Sequence, residues 1–392
     1  MHSCSKEGAV SDFSVLHVLL GPGGGALSVL RTLLVEQALR HNAHALLVTN
    51  ARRPLDLPAA RLADLQERIL VAEDTNKGFL SSARYRLDLR AYVESLESKT
   101  GQRAVVHMHN AVWFACREYL EPRIAEKVPV VSTFHGILPI DDPEMTRIRW
   151  RSPLHGYWVR QSMKKGRVYA AVSRRTRNQV AAAYRISEPS AIRIVYNGVA
   201  RDESAPGWPN RRVASRVTLG FIGSIERRKN WRLAVELADC CNKRGLGVRL
   251  VVAGDGPEQE QATEAARRRP YMDYLGPVSD PIRGFYPQVD ILLLPSLSEG
   301  LPVVALEAIS RGIPILSSAA GGLPEIVRTG VTGFCCEQTG LDDFERGLRS
   351  ILDQGLESLR GSCERVYRDE FTADSMSRGY EALYREALSG QD

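Results

Sequence analysis

Short apolar runs alternate with longer polar and amphipathic segments along most of this chain. Uninterrupted runs rich in Val, Ile and Leu predict strands that are buried on both faces, and helical spacing between them predicts crossover helices. This alternation is typical of an α/β protein with parallel sheets. The predicted strands lie at 15–20, 45–48, 104–109, 129–134, 168–173 and 192–199, then at 217–222, 248–253, 290–294 and 313–317.

The length of the chain predicts two domains. Its 392 residues exceed what one hydrophobic core usually holds. The series of strands is interrupted at 200–215 by a polar segment rich in proline and glycine, which we interpret as a linker. Residues 1–12 are polar and lack the apolar segment of a secretory signal, so we expect a disordered N-terminus.

A candidate anion site follows the ninth of these strands. Pro302 suits the first turn of a helix, because its missing N–H would have no partner there. Free N–H groups at Gly300 and Leu301 would then lie at the positive end of the helix dipole. Glu299 precedes this point, and Glu307 interrupts an apolar run. The pattern therefore predicts an anion flanked by hydroxyl-bearing groups.

The same region resembles a known family. Its matching islands are Pro295-Ser, Glu299-Gly, Glu307-Ala, Gly312-Ile-Pro, Ser317 and Gly321-Gly-Leu-Pro-Glu-Ile-Val327. In this order they resemble the donor-site signature of retaining glycosyltransferases of family four, which have the GT-B fold. The resemblance implies two Rossmann-like, doubly wound domains that face each other across a cleft. The alternative is an α/β core in which Glu307 is only a capped or solvated helix residue.

The resemblance also implies an activity and the roles of several residues. A hexosyl unit would pass, with retention of configuration, from a nucleotide-diphosphate sugar to a glycan or lipid-linked acceptor in polysaccharide or glycolipid assembly. Glu299 would bind a hydroxyl of the donor sugar, and Glu307 the ribose. Lys229 matches the lysine that holds the diphosphate, whereas Ser224 stands where the family has an arginine. We expect Arg228 to take the place of that arginine.

A glycine-rich loop follows the first strand. The spacing at 21–26 satisfies G-x-G-x-x-A, a dinucleotide-binding fingerprint, so a nicotinamide cofactor is one alternative. Asn50, however, stands where an acid that binds the ribose would be useful. In family four, a comparable loop lies beside the donor phosphates, and Gly24 and Gly25 resemble that pair. The plain alternative is that these glycines only form a tight turn.

Three histidines lie on or after predicted strands in the first half. His107 and His109 share one face of a strand, which would suit a metal, but no third ligand follows nearby. His109 and Asn110 lie at a carboxyl strand end, where α/β sheets bind ligands, so we expect either to contact the acceptor. The segment Thr-Phe-His135-Gly resembles the strand-end histidine of the family, near the reacting centre. Alternatively, His135 merely caps its strand.

The family resemblance sets the expected domain limits. An N-terminal acceptor-side domain would span 13–199 and a C-terminal nucleotide-sugar donor domain 216–372. Apolar residues at helical spacing near the end of the chain resemble the closing helix of the family, which at 373–392 would cross back to the first domain.

Charge is concentrated in one segment. The formal net charge is +6, and residues 145–177 contain ten basic residues and no acid, interleaved with Trp150, Tyr157 and Trp158. This composition suits an anionic membrane surface or a lipid phosphate, although a solvated helical face would look the same. We expect no nucleic acid partner. No apolar run approaches the roughly 18 residues that a membrane-spanning helix needs. We expect a cytoplasmic protein that contacts the cytoplasmic membrane face.

Cysteine and aspartate spacing argue against structural or catalytic metal. The seven cysteines include two adjacent pairs and no C-x-x-C, which favours reduced thiols. No two aspartates are two residues apart, so the Asp-x-Asp triplet of metal-dependent transferases is absent. We therefore expect no metal and no cofactor. Rival interpretations are a nucleotide-sugar epimerase of the same fold, a nucleotide-sugar-binding scaffold and a glycosidase with a carboxylate pair.

Chelation tests the metal-free interpretation. If fixed cations and backbone amides stabilise the leaving diphosphate, turnover should be unchanged after treatment with excess EDTA. Loss of turnover in EDTA that is restored by added manganese would contradict this expectation.

Overall fold

A computed structural model describes residues 13–20, 25–38, 42–49, 69–73, 89–109, 128–136, 152–202 and 216–390. The chain forms two compact units. The first comprises Met1–Tyr196 together with Ala373–Asp392, and the second comprises Asn197–Thr372. The expected disordered segment 1–12 and most of the expected linker, residues 203–215, lie outside the described residues.

The first unit contains a parallel sheet. Within its described residues the sheet has seven strands in the order β3-β2-β1-β4-β5-β6-β7, and every pairing is parallel. The strands are β1 Phe13–Leu20, β2 Asn42–Thr49, β3 Ile69–Glu73, β4 Arg103–His109, β5 Val130–Phe134, β6 Val168–Ala171 and β7 Ile192–Ile194. The strand order reverses between β1 and β4, and crevices for ligands form at such a reversal in open α/β sheets.

Helices cover this sheet. They are α1 Gly25–Ala38, α2 Leu89–Thr100, α3 Ser152–Lys164, α4 Arg174–Tyr184 and, from the end of the chain, α12 Ala373–Ser389. Helix α1 buries Val29, Leu30, Leu33 and Leu34, which recur at helical spacing. Helix α12 packs against α1 and against strands of the first sheet, although it follows the second unit in the sequence.

The second unit repeats the same architecture. Its described strands form a six-stranded parallel sheet in the order β10-β9-β8-β11-β12-β13. They are β8 Thr218–Ile222, β9 Arg249–Ala253, β10 Met272–Tyr274, β11 Ile291–Leu294, β12 Ile315–Ser318 and β13 Gly333–Cys336. Its helices are α5 Trp231–Lys243, α6 Gln259–Arg267, α7 Pro281–Gly284, α8 Val303–Ser310, α9 Leu323–Ile326, α10 Leu341–Gln354 and α11 Leu356–Glu370.

Both sheets confirm the α/β, Rossmann-like prediction. Their central strands are fully buried because helices lie on the sheet faces, as the uninterrupted apolar runs predict. None of the described helices combines the length and the apolarity that crossing a bilayer would require.

Candidate active site

Two loops of the second unit lie at one edge of its sheet. Strands β8 and β11 are parallel neighbours, with Leu219 paired to Ile291, so the loops that follow them leave the sheet side by side. The first contains the 3₁₀ turn Arg227–Lys229, and the second runs from Pro295 to Pro302. The strand order reverses between these two strands, so the edge is the expected position of a ligand site.

An ion pair joins these loops. Lys229 Nζ lies 2.6 Å from Glu299 Oε1, and the side chains are only 19% and 7% exposed. The sequence analysis predicted that both residues bind the sugar donor, but it did not predict that they form an ion pair with each other. An ion pair so shielded from water is stronger than a surface pair, and each partner offsets the cost of burying the other's charge.

Arg228 reinforces the junction between the two loops. Its Nη1 donates to the Ser298 carbonyl at 3.1 Å, and its own carbonyl accepts from the Leu297 N–H at 2.8 Å. Its Nη2 forms a salt bridge of 2.6 Å with Glu226. Arg228 therefore lies next to the Lys229–Glu299 pair, but its guanidinium already has carboxylate and carbonyl partners.

The helix after the second loop begins later than the sequence predicts. Pro302 is the N-cap residue of α8, with an extended ψ of 125°, and the first helical residue is Val303. Gly300 and Leu301 therefore lie in the loop before the helix, and their N–H groups are not part of its first turn. Leu301 is buried, and its carbonyl accepts from Asn197 Nδ2 at 2.7 Å.

Glu307 lies within α8 and faces a protein partner. The hydroxyl of Tyr286 donates to Glu307 Oε2 at 2.6 Å and also contacts the Val304 carbonyl at 3.2 Å. Burial raises the pKa of Glu307, while the hydrogen bond from Tyr286 and the nearby Arg311 oppose that rise. The sequence pattern gave no signal for Tyr286, because the contact depends on how the turn Tyr286–Gln288 packs beneath the helix.

A glycine fixes the backbone at Glu299. Gly321 has a φ of +53°, and a Cβ at this position would lie 1.9 Å from the Glu299 carbonyl oxygen. No side chain fits such an approach, so glycine is required both for conformation and for space. The Gly321-Gly island of the sequence thus holds the loop that carries Glu299.

In the first unit, His135 follows β5 directly. Its Nε2 lies 3.0 Å from His109 Nδ1, and its Nδ1 is buried with no hydrogen-bond partner among the described residues. Burial lowers the pKa of His135 to about 4, so the ring is neutral at physiological pH.

Of the remaining predicted residues, Gly25 is the exposed first residue of α1, while Gly24 and Asn110 lie outside the described residues.

His109 is fully buried and both its ring nitrogens are engaged. Its Nε2 lies 3.1 Å from His17 Nδ1 and its Nδ1 contacts His135. A ring in this state would have to rearrange before it could contact an acceptor, and the expected contact stays a prediction.

His17 was missed by the sequence analysis, which looked for a third ligand only near His107 and His109. Strand β1 places His17 directly beside His107, and ring nitrogens of the three residues lie within 4.8 Å of one another. The grouping could hold a metal ion in principle, but both nitrogens of His107 already hydrogen-bond, to Tyr384 at 2.7 Å and to Thr133 at 2.8 Å. The sequence placed His17 within a predicted strand, but its position beside His107 depends on the register between the two strands, which the sequence pattern does not give.

The basic segment is only partly described. Lys164 and Lys165 are exposed at the end of α3, and Arg174 and Arg175 are exposed at the start of α4, across the short strand β6. Arg167, by contrast, is buried. Two exposed basic residues therefore precede β6 in the sequence, and two follow it.

The histidine cluster predicts acid sensitivity. Burial, and secondarily the neighbouring histidines, lowers the pKa of His107 and His109 well below the ordinary value. Unfolded histidines titrate near pH ~6.5. Between about that pH and the pKa of about 4 of His135, the unfolded chain binds protons that the native chain does not. The free energy of unfolding should therefore fall as the pH falls through this window.

Urea unfolding followed by circular dichroism across this window measures the effect. Replacing His109 by Gln removes one ring that must stay neutral in the fold, so the variant should lose stability less steeply with falling pH than the unaltered protein. An equal or steeper loss in His109→Gln would contradict the prediction.

Comparison with known proteins agrees with this architecture. The family model described as Glycosyltransferase Family 4 matches residues 23–203, and that described as Glycosyl transferases group 1 matches residues 216–354. The D-inositol 3-phosphate glycosyltransferase of Kribbella flavida is 28% identical over 308 residues, which cover 72% of this chain and 71% of the relative.

Solved structures show the same fold. A glycosyltransferase from Rickettsia africae aligns with a TM-score of 0.71 at 16% identity, covering 96% of this chain and 99% of that one. Anabaena Alr3699/HepE in complex with UDP-glucose aligns with a TM-score of 0.64 at 16% identity, covering 95% and 99%. Since the two family models together account for most of its length, the chain belongs to the family-four, group 1 glycosyltransferases of the GT-B fold and is a transferase enzyme.

Proposed function

We propose that this enzyme transfers a hexosyl unit from a nucleotide-diphosphate sugar to an acceptor hydroxyl, with retention of anomeric configuration and without a metal ion. The donor class is supported by the Anabaena structure of the same fold, which holds UDP-glucose. Family membership favours transfer over the epimerase and scaffold alternatives. The glycosidase alternative does not account for the lysine and arginine beside Glu299.

The Lys229–Glu299 pair carries this proposal. It lies at the carboxyl edge of a parallel sheet, where the strand order reverses, and its distance of 2.6 Å leaves the lysine with an anionic partner. A diphosphate that enters this edge can replace the carboxylate as the partner of Lys229. Glu299 is then released to accept a hydrogen bond from a hydroxyl of the donor sugar. Donor binding thus exchanges one anion for another instead of adding an unpaired charge.

The reaction follows from this exchange. The bond between the anomeric carbon and the diphosphate oxygen breaks, and the diphosphate leaves with the electron pair, which Lys229 and the neighbouring Arg228 stabilise. The acceptor oxygen bonds to the anomeric carbon on the same face, and its proton passes to the leaving diphosphate. We propose that N–H groups of the loop at Gly300 and Leu301 and of the α8 N-terminus at Val303 add to this stabilisation.

Glu307 is proposed to bind the ribose. Its carboxylate is shielded from water, which raises its pKa, and Tyr286 supplies one hydrogen bond to Oε2. Ribose hydroxyls would donate further hydrogen bonds to the charged carboxylate and so reduce the free-energy cost of burying its charge. His135, neutral at physiological pH, is suited to accept a hydrogen bond from a sugar hydroxyl at Nδ1 but not to supply a proton.

Donor binding can be tested by calorimetry with UDP and UDP-glucose. Lys229→Met should weaken the binding of UDP about tenfold or more, because one charge-assisted hydrogen bond to the diphosphate is lost. Glu299→Gln should bind UDP at least as tightly as the unaltered enzyme, because the competing carboxylate is gone, while turnover of UDP-glucose falls.

Lys243→Met is the matched control, because Lys243 is an exposed lysine on α5 of the same unit. It should leave UDP binding unchanged. Weaker UDP binding in Glu299→Gln, or equal affinities in Lys229→Met and Lys243→Met, would show that the anion exchange is wrong. Screening ADP- and GDP-sugars alongside identifies the base, and conversion of the sugar donor alone without hydrolysis, followed by proton nuclear magnetic resonance, would favour the epimerase.

We further propose that the acceptor is a glycan or lipid-linked hydroxyl and that the segment 145–177 contacts an anionic membrane. Its uniformly basic charge and interleaved aromatic residues support this, as does the exposure of Lys164 and Lys165. The buried Arg167 does not contribute.

Co-sedimentation with vesicles that contain an anionic phospholipid tests the membrane contact. Replacing Arg147, Arg149, Arg151, Lys164 and Lys165 by Ser should abolish most binding at low salt, since each basic residue near the surface contributes about 1 kcal/mol. A control with five exposed basic residues of the second unit replaced, Lys243, Arg267, Arg268, Arg346 and Arg349, has the same net charge. Equal loss in both variants would refute a specific role of 145–177.

A further inference from the structure

A row of hydrogen-bonded histidines crosses one face of the first sheet. Neighbouring strands place His17 beside His107, and His109 beside Thr133, in their parallel registers. Side chains two residues apart on a strand share a face, so His107, His109 and, just beyond β5, His135 follow the same side. Helices α1 and α12 pack over this side and contribute Gln37 and Tyr384.

The contacts form an unbroken chain. Gln37 Oε1 lies 2.8 Å from His17 Nε2, His17 Nδ1 lies 3.1 Å from His109 Nε2, and His109 Nδ1 lies 3.0 Å from His135 Nε2. Gln37, His17 and His109 are fully buried. The chain ends at His135 Nδ1, the buried ring nitrogen without a partner among the described residues.

Burial favours the neutral form of the imidazoles in this chain. Burial lowers the pKa of His109 well below the ordinary value, and that of His135 to about 4. A neutral imidazole carries one N–H and one lone pair, so each ring can donate at one nitrogen only. The proton position on one ring therefore determines the proton position on the next.

The amide of Gln37 sets the direction of the chain. An amide oxygen can only accept, so His17 must carry its proton on Nε2 and offer its Nδ1 lone pair. His109 must then donate from Nε2, which leaves its Nδ1 as the acceptor for His135. His135 must in turn donate from Nε2. Its Nδ1 is consequently unprotonated and able to accept a hydrogen bond.

A second arm is compatible with this orientation of the amide. Gln37 Nε2 points to the Tyr384 hydroxyl at 3.5 Å, and that hydroxyl lies 2.7 Å from His107 Nδ1. Burial raises the pKa of Tyr384, so the phenol is protonated and can donate to His107. His107 then donates from Nε2 to the Thr133 hydroxyl at 2.8 Å. With the amide oriented as in the structure, both arms are satisfied and all four rings are protonated on Nε2, whereas a flipped amide would place the proton of every ring on Nδ1.

We propose that Gln37 is a positioning residue that acts through His17 and His109 to hold His135 in its Nε2–H tautomer, so that Nδ1 accepts a hydroxyl hydrogen bond of the bound sugar or acceptor. This inference rests on the proposed transferase function for its last step only. The tautomer itself is a property of the unliganded chain and can be measured without a substrate.

Nuclear magnetic resonance of the full chain labelled with ¹⁵N-histidine tests the tautomer. Long-range correlations between ring protons and ring nitrogens distinguish a protonated nitrogen from one with a lone pair. Near neutral pH, His17, His107, His109 and His135 should each show a protonated Nε2 and an unprotonated Nδ1. A protonated Nδ1 on His135, or an equal mixture of its two tautomers, overturns the proposal.

A variant pair separates positioning from packing. Gln37→Met removes the acceptor at the origin of the chain, so His135 should become a mixture of tautomers. Turnover should fall on the order of tenfold with little change in donor KM, the size usual for outer partners of an active group. Thr133→Val, which has similar volume and ends the other arm, should preserve the His135 tautomer and turnover. Equal effects in both variants, or an unchanged tautomer in Gln37→Met, overturn the proposal.

The outcomes distinguish this inference from the proposed function. If the unaltered protein shows the Nε2–H tautomer but no sugar transfer, the transferase proposal fails while the hydrogen-bond chain stands. If transfer occurs with a different tautomer, only the chain is wrong. Elemental analysis of the purified protein adds a further check. One equivalent of a transition metal bound through His17, His107 and His109 would replace these hydrogen bonds and overturn the inference.

Discussion

Parallel strand pairing determines where the functional side chains of each unit lie. In the second unit, the pairing of β8 with β11 brings the loops of Lys229 and Glu299 to one edge, although the two residues are far apart in sequence. In the first unit, the pairing of β1 with β4 and of β4 with β5 aligns histidines from distant segments on one face. Each site thus depends on the pairing of its strands, and a slip of one residue in the first sheet would turn the histidines of the slipped strand to the opposite face.

Burial gives these side chains their chemical properties. Shielding from water favours the neutral forms of His109 and His135, and it raises the pKa of Glu307. The same shielding strengthens the contact between Lys229 and Glu299, which are both charged and mutually compensating. In the second unit, the diphosphate of a nucleotide sugar can replace the carboxylate partner of a lysine. In the first unit, the imidazole rings are neutral, and each ring nitrogen has a defined role as hydrogen-bond donor or acceptor.

The sequence contained enough information for the fold class and the central strands. Apolar runs marked the strands that are buried on both faces, but not β3, β10 and β13. These three strands lie at sheet edges. Strands β10 and β13 are short and only partly buried, so they contain no long apolar run. Strand β3 does contain an apolar run, but it lies within a region that the sequence analysis interpreted as amphipathic and charged. The family resemblance pointed to Glu299, Glu307 and their glycine-rich neighbours.

The contacts among side chains could not be predicted in the same way. The pairing of Lys229 with Glu299 and the bond from Tyr286 to Glu307 depend on the paths of loops and turns, which hydrophobic periodicity does not encode. The start of α8 was predicted too early because a proline suits both the first turn and the N-cap. The position of His17 beside His107 likewise depends on the register between β1 and β4, which the sequence pattern does not give.

The position of α12 in the chain has a consequence for biosynthesis. This helix, which covers the histidine-bearing face of the first sheet, is translated after the whole second unit. On the ribosome, the N-terminal part of the first unit emerges before the second unit but lacks Tyr384 and the packing of that helix until α12 has been translated. The second unit is made as one continuous stretch and can complete its core before α12 emerges, so of the two units the first completes its core last.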